Sequence, residues 1–309
     1  MNYTNLRDKI RGPIFPTITP FTSDYKVDVE KQKEYIDFLY NSGARIFYLM
    51  AYNGRFSLLS NDEVTELNIL TASYIKSKYS DCIVIGADPM MCSTQVSIDV
   101  ARKAKDAGAD MISLIFMERY HFDDQVYKHF EEIANQVDIA MLIHVQLLDS
   151  IRGYKLYPMP LLDHIADIDN VIAIKEDSKQ DLYTEEATYI LKDRVVVMPT
   201  GRSKRHFMQF GPMGCQAYLV GIGSFFPQLA FDFYDAFTKH DMQGCWKIIN
   251  DLERPFFRMA LKHGWHPSLK SAMEHLGIMS RVERPPLCML PDDQHQDIVK
   301  IVEDIKGQL

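Results

Sequence analysis

The sequence predicts a (β/α)8 (TIM) barrel followed by a C-terminal helical extension. Three observations carry that expectation. Eight short apolar segments alternate with eight segments of helical periodicity across residues 1–240, and such alternation builds parallel sheets. Eight units match a closed barrel of about 250 residues. No Gly-x-Gly-x-x-Gly follows the first apolar segment, the fingerprint of a dinucleotide-binding, doubly wound sheet. The barrel is assigned to residues 1–240 and the helical region to 241–309.

The elements follow in order. Residues 12–21 form an apolar strand that ends in Thr17, Thr19 and Pro20. Residues 27–42 carry apolar side chains at helical spacing and stop at Gly43, a helix terminator. Strand 44–50 leads into Ala51-Tyr52-Asn53-Gly54-Arg55. Helix 60–79 opens on Ser60 with Glu63 three residues on, the pattern of a capping box. Strand 82–86, helix 93–107 (closed by Gly108), strand 110–116 and helix 123–137 continue the alternation. Strand 138–145 is followed by a long loop and helix 159–168. The remaining pairs are strand 171–175 with helix 182–191, strand 194–199 with helix 203–210, and strand 215–221 with helix 227–238. Three further helices are expected at 242–263, 267–276 and 292–305.

The chain has 309 residues, 47% of them hydrophobic, enough for one large core or two small ones. Its formal net charge of -8 offers no basic footprint for nucleic acid. Cys82, Cys92, Cys215, Cys245 and Cys288 are odd in number and include no Cys-x-x-Cys pair. That argues against a zinc cage or disulfide framework and for a reducing cytoplasm. Residues 1–9 lack the apolar core of a signal peptide, and no apolar run nears the roughly 20 residues of a membrane span. The expected setting is cytoplasmic, with neither nucleic acid nor membrane as partner.

Val171-Ile-Ala-Ile-Lys175 is the most informative stretch. A strand covered on both faces is apolar throughout, so a lysine at its end faces desolvation. Burial lowers an amine's pKa, and a neutral amine at a barrel mouth is a nucleophile toward carbonyls. The plainer alternative is a lysine that snorkels to water. The neighbouring strand ends add Thr17 and Thr19; Tyr52, Asn53 and Arg55; Glu118, Arg119, Tyr120 and His121; His144, Arg152 and Tyr154; Gly201, Arg202 and Arg205; Tyr218 and Gly221. One lysine among tyrosines, histidines and arginines suits carbonyl chemistry on an anionic substrate.

The chain resembles the dihydrodipicolinate synthase / N-acetylneuraminate lyase family of Schiff-base aldolases. Thr17-Ile-Thr-Pro-Phe21 matches its Thr-Pro-Phe opening, and Ala51-Tyr-Asn-Gly-Arg55 takes the place of its Gly-Thr-Thr-Gly-Glu loop. Val171-Ile-Ala-Ile-Lys175-Glu matches its lysine motif. Residues 214–227 resemble its strand-eight segment, and His266-Pro-Ser-Leu-Lys270 and Arg284-Pro-Pro-Leu287 its C-terminal landmarks. The resemblance implies a barrel with C-terminal helices, a homo-oligomer (tetramer or dimer), and a lysine that condenses with pyruvate or another 2-oxo acid without metal or cofactor. Lys175 would be that lysine, and Thr17, Thr19, Asn53, Gly201 and Gly221 would surround the substrate. Arg152 would meet its far end.

Departures matter as much. The family tyrosine that ends strand five falls on Ile143, followed by His144. The threonine pair of the strand-two loop has become Tyr52 and Asn53, and its glutamate Arg55. Either Tyr52 or His144 takes over the proton relay, or the chain is a catalytically impaired barrel that binds a 2-oxo acid or serves a regulatory role. In the first case Tyr52→Phe, if Tyr52 carries the relay, costs roughly two orders of magnitude in turnover. Gly201-Arg-Ser-Lys-Arg205 is either an anion site after strand seven or a solvated basic turn. His263 and His266 lack a carboxylate ligand pattern, so no metal site is expected there.

Overall fold

In the computed structural model residues 3–49, 52–116, 122–146, 156–200 and 204–309 are described. Eight parallel strands form the sheet: β1 (Gly12–Pro16), β2 (Ile46–Tyr48), β3 (Ile83–Ala87), β4 (Met111–Leu114), β5 (Ala140–Gln146), β6 (Val171–Asp177), β7 (Val196–Pro199) and β8 (Ala217–Leu219). They run in the order β7-β6-β5-β4-β3-β2-β1-β8. The seam between β7 and β8 is drawn together by Gln216. Its N–H donates to Val197 O at 3.3 Å, and its side-chain oxygen accepts from Val197 N at 2.9 Å. The expected barrel is thus present and nearly closed. β8 is shorter than the expected 215–221: a side-chain amide replaces part of the backbone ladder at Gln216, and Gly221 already opens a 3₁₀ turn.

The helices α1 (Tyr3–Lys9), α2 (Val29–Asn41), α3 (Asn61–Lys78), α4 (Thr94–Asp106), α5 (Asp123–Gln136), α6 (Met159–Ile165), α7 (Asp181–Leu191), α8 (Lys204–Phe210) and α9 (Pro227–Thr238) accompany the strands. α10 (Met242–Lys247), α11 (Arg254–His263), α12 (Trp265–His275) and α13 (Asp292–Lys306) form the C-terminal region. Starts follow their caps. Ser60 and Glu63 make the expected reciprocal box, and Asp28 and Ser93 accept from the third backbone N–H of α2 and α4. The expected helix 242–263 is instead interrupted by a π turn, Ile248–Glu253, just ahead of Pro255. A proline cannot donate to the preceding turn, and the wider turn brings Glu253 to the buried Lys204 at 2.8 Å. The short α1 was not expected. It buries no residue of its own and is tied to the barrel by Arg7 to Arg194 O and by Tyr3 to Asp138. Among the described residues no helix is long and apolar enough to cross a membrane.

Register and alternation fix which side chains point into the barrel. Opposed residues of parallel strands share a face, and successive residues alternate. Tyr48 pairs with Ile85, Ser113 with Leu142, and His144 with Lys175. The Tyr48 hydroxyl meets Ser113 Oγ at 2.8 Å, which marks these positions as interior. Residues of opposite parity face the helices. Glu176 there accepts from Ser178 N and from the Thr184 hydroxyl of α7.

Asp88 follows β3 and is buried beside α4, where it accepts from Ser97 Oγ at 2.9 Å. Burial pushes its carboxyl up to about 8. The unfolded chain releases this proton near pH 4, whereas the folded chain holds it to about pH 8. The folded state therefore binds more protons between those values, and stability falls as pH rises through that window. Asp88→Asn is expected to narrow the difference in melting temperature between pH 5 and pH 8. Melting curves of both proteins at the two pH values test this, and an unchanged difference would contradict it.

Candidate active site

β6 carries Lys175 and Asp177 on its interior face, two residues apart, and β5 places His144 opposite Lys175. The Lys175 amine is fully buried and lies 2.7 Å from His144 Nε2. It donates to Asp177 Oδ2 at 3.0 Å, and His144 Nε2 lies 3.7 Å from the same oxygen. Burial pulls the Lys175 amine below its usual range, with Asp177 opposing. Burial and then the neighbouring lysine charge take His144 down to about 4, so its imidazole is neutral at pH 7. Asp177 is held below the usual carboxylate range: burial opposes this, and the Lys175 charge prevails. Lys175 does not snorkel to water, because its partners lie inside the barrel. Ile143, onto which the resemblance mapped the strand-five tyrosine, pairs with Ile174 and faces the opposite way. The β5 residue that reaches Lys175 is His144.

The loop after β2 borders this group. The Tyr52 ring meets the His144 ring edge-on, centroids 5.9 Å apart. Tyr48, below, lies within electrostatic reach of Asp177 and Tyr52. Asn53 is buried. Arg55 has a left-handed backbone (φ 62°), and its guanidinium is engaged by the C-terminal region and its own loop. It donates to both carboxylate oxygens of Glu283, to Asn53 O at 2.8 Å and to His266 O at 3.3 Å. The Thr19 hydroxyl donates to Gly54 O at 2.7 Å, and Thr17 is buried with its N–H on Tyr48 O. Gly221 opens a 3₁₀ turn after β8 with φ 58°, a conformation that favours glycine.

Other expected residues divide cleanly. Arg152 and Gly201 lie outside the described residues, as do Glu118, Arg119, Tyr120, His121, Tyr154 and Arg202. Tyr218 does not face the site. It has exterior parity, and its hydroxyl donates to Ala230 O of α9 at 2.6 Å. Arg205 stacks on Trp246, its guanidinium carbon 5.3 Å from the ring centroid. His263 meets Asp297 at 3.1 Å. Among the described residues no group of three or more His, Cys, Asp or Glu side chains is placed to hold a metal.

The sequence matches the model of the dihydrodipicolinate synthetase family over residues 9–305. The chain belongs to that family. A protein of Pyrococcus furiosus named as an uncharacterized DapA-like lyase is 23% identical over 299 residues, spanning 95% of this chain and 97% of that protein. Dihydrodipicolinate synthase from Oceanobacillus iheyensis superposes with a TM-score of 0.89 at 18% identity, covering 99% of this chain and 100% of that one. A prophage member of the family from E. coli K12, solved with pyruvate, has a TM-score of 0.83 at 18% identity, over 96% and 99% of the two chains.

Within the dihydrodipicolinate synthetase family pattern, the structure explains one departure and adds two residues. Arg55 stands where the motif has an acid, and Glu283 from the C-terminal region supplies a buried acid to pair with it. Lys270, also buried, lies 5.0 Å over the Phe21 ring, and burial takes its amine down to about 7. Sequence reasoning missed Asp177, although the period of two along a strand places it on the face of Lys175. It also missed Glu283, for which no local signal existed: 228 residues separate it from Arg55.

Proposed function

We propose that the protein is a Schiff-base lyase, an aldolase or dehydratase acting on a 2-oxo acid such as pyruvate or a 2-keto-3-deoxy sugar acid. The observation that carries this reading is the buried Lys175 amine, 2.7 Å from a neutral imidazole at the C-terminal end of β6. That end is where barrels of this kind do their chemistry. An amine attacks a carbonyl only when neutral, and burial favours that state. His144 Nε2 accepts the lysine proton, and the amine adds to the keto carbon. The imidazolium then protonates the carbonyl oxygen and assists the departure of water. The resulting iminium draws electrons from the adjacent carbon, which allows a C–C or C–O bond to break farther along the chain.

Asn53, Thr17 and neighbouring N–H groups are assigned to the substrate carboxylate, with Thr19 holding the loop. Gly221, together with Gly201 and Arg152, completes the proposed binding set. The same reading includes a cytoplasmic homo-oligomer, dimer or tetramer. The pyruvate complex of the E. coli relative supports the substrate class.

The test is a coupled assay. Candidate 2-keto-3-deoxy sugar acids are supplied, and released pyruvate is read through lactate dehydrogenase and NADH. Release supports the reading. No release from any of them, and no consumption of pyruvate with added aldehydes, would contradict it. With a substrate in hand, His144→Gln is expected to lower kcat by about 10²–10⁴-fold. Tyr52→Phe should cost less than about tenfold, because the Tyr52 ring packs against the imidazole and His144 is the neighbour of the amine. The reverse order would transfer the relay to Tyr52.

A further inference from the structure

We propose that Asp177 is the fixed counter-charge of the site, the group that sets the charge states of both Lys175 and His144. The assignment rests on the reading of Lys175 as the Schiff-base amine. Two acids follow the lysine, and the strand separates their tasks. Glu176 faces outward and is taken up by Ser178 and Thr184. Asp177 faces inward, with one oxygen 3.0 Å from Lys175 Nζ and 3.7 Å from His144 Nε2. Its side chain is 18% exposed, whereas Lys175 has no exposure. The carboxylate therefore borders the space from which a substrate approaches, and the amine lies behind it.

The proton accounting gives this geometry its use. Counted from the ammonium form, three protons must be placed. Its first proton passes to His144 Nε2, and the nitrogen lone pair forms the C–N bond while the carbonyl π pair moves to oxygen. The imidazolium protonates that oxygen, takes a second proton from nitrogen, and delivers it as the C–O bond breaks and water leaves. One proton stays on the iminium nitrogen. The net charge of lysine, histidine and the reacting carbonyl thus stays at +1 throughout, carried chiefly by ammonium, then imidazolium, then iminium. All three positions lie beside the same carboxylate, which needs no movement to neutralise each of them.

The titratable and charged groups around this trio come from several elements. Tyr48 is on β2 and Tyr52 in the loop after it, while the outward-facing Glu176 and Lys179 act at longer range from β6 and its following loop. Asp177 is the acid in direct contact with the amine. Burial pulls Lys175 down, and the Asp177 charge pulls it up with a smaller contribution from Glu176, so removing the Asp177 charge lets burial pull the amine lower.

The test compares wild type, Asp177→Asn and Asp177→Glu by two readouts. Reductive methylation with formaldehyde and cyanoborohydride across a pH series gives the midpoint at which the Lys175 peptide takes up label. Borohydride trapping with pyruvate gives the adduct yield. In Asp177→Asn the labelling midpoint should fall by about one to three pH units and the adduct yield by about tenfold or more. Asp177→Glu should restore much of both. A midpoint unmoved in Asp177→Asn overturns the assignment, whatever trapping gives. A shifted midpoint with no pyruvate adduct in wild type keeps the charge pairing and overturns the lyase reading instead. Melting curves of all three proteins, matched at pH 7, exclude a general loss of structure as the source of a shift.

Discussion

Lys175→Met is expected to abolish turnover, by about 10⁴-fold or more, while leaving a folded barrel. The amine is the only group in the proposed cycle that forms a bond to substrate, and covalent catalysis is lost outright when its nucleophile is removed. Methionine has similar length and is at home in an apolar interior. The barrel layer beneath Lys175, built from residues such as Leu142 and Ala173, should therefore remain packed. The measurement is kcat on the substrate found in the coupled assay, beside a melting curve. Activity within tenfold of wild type would remove Lys175 from the mechanism.

Glu283→Ala should have the largest effect on stability. Glu283 and Arg55 both have fully buried side chains, and the guanidinium contacts the two carboxylate oxygens at 2.8–3.2 Å. Removing the acid strands a buried cation, which costs about 3–5 kcal/mol. Chemical denaturation should report that loss as a lower midpoint. Because Arg55 also donates to Asn53 O, the loop that carries Tyr52 and Asn53 should loosen, and KM should rise. The double replacement Arg55→Met with Glu283→Leu removes both charges and is expected to be less damaging than Glu283→Ala alone. A single variant of wild-type stability would contradict this account of the loop.

The fold was legible because its signals are local. The Ser60–Glu63 box, the helix stop at Gly43 and the all-apolar run before Lys175 each act within a few residues, and each is found where expected. Signals failed where the determinant was remote or unpatterned. The π turn depends on Pro255 and on Lys204, which reaches Glu253 across 49 residues. α1 is seven residues long and buries none of them fully, too short a pattern to announce it. At the site, Lys175 was legible from its contrast with the strand around it. The relation of Ile143 to His144 was not: a shift of one residue exchanges the two faces of a strand, and only the pairing of β5 with β6 resolves it. Glu283 was beyond reach for the same reason as Lys204, since nothing near Arg55 in sequence names its partner.

The central claim is that the Lys175 amine forms a Schiff base. The most direct measurement is to incubate the protein with pyruvate, reduce with borohydride, digest, and examine the peptide that holds Lys175 by mass spectrometry. The account predicts a reduced pyruvate adduct on Lys175, absent in Lys175→Met. An unmodified Lys175 peptide, with pyruvate binding equal in wild type and Lys175→Met, would contradict it.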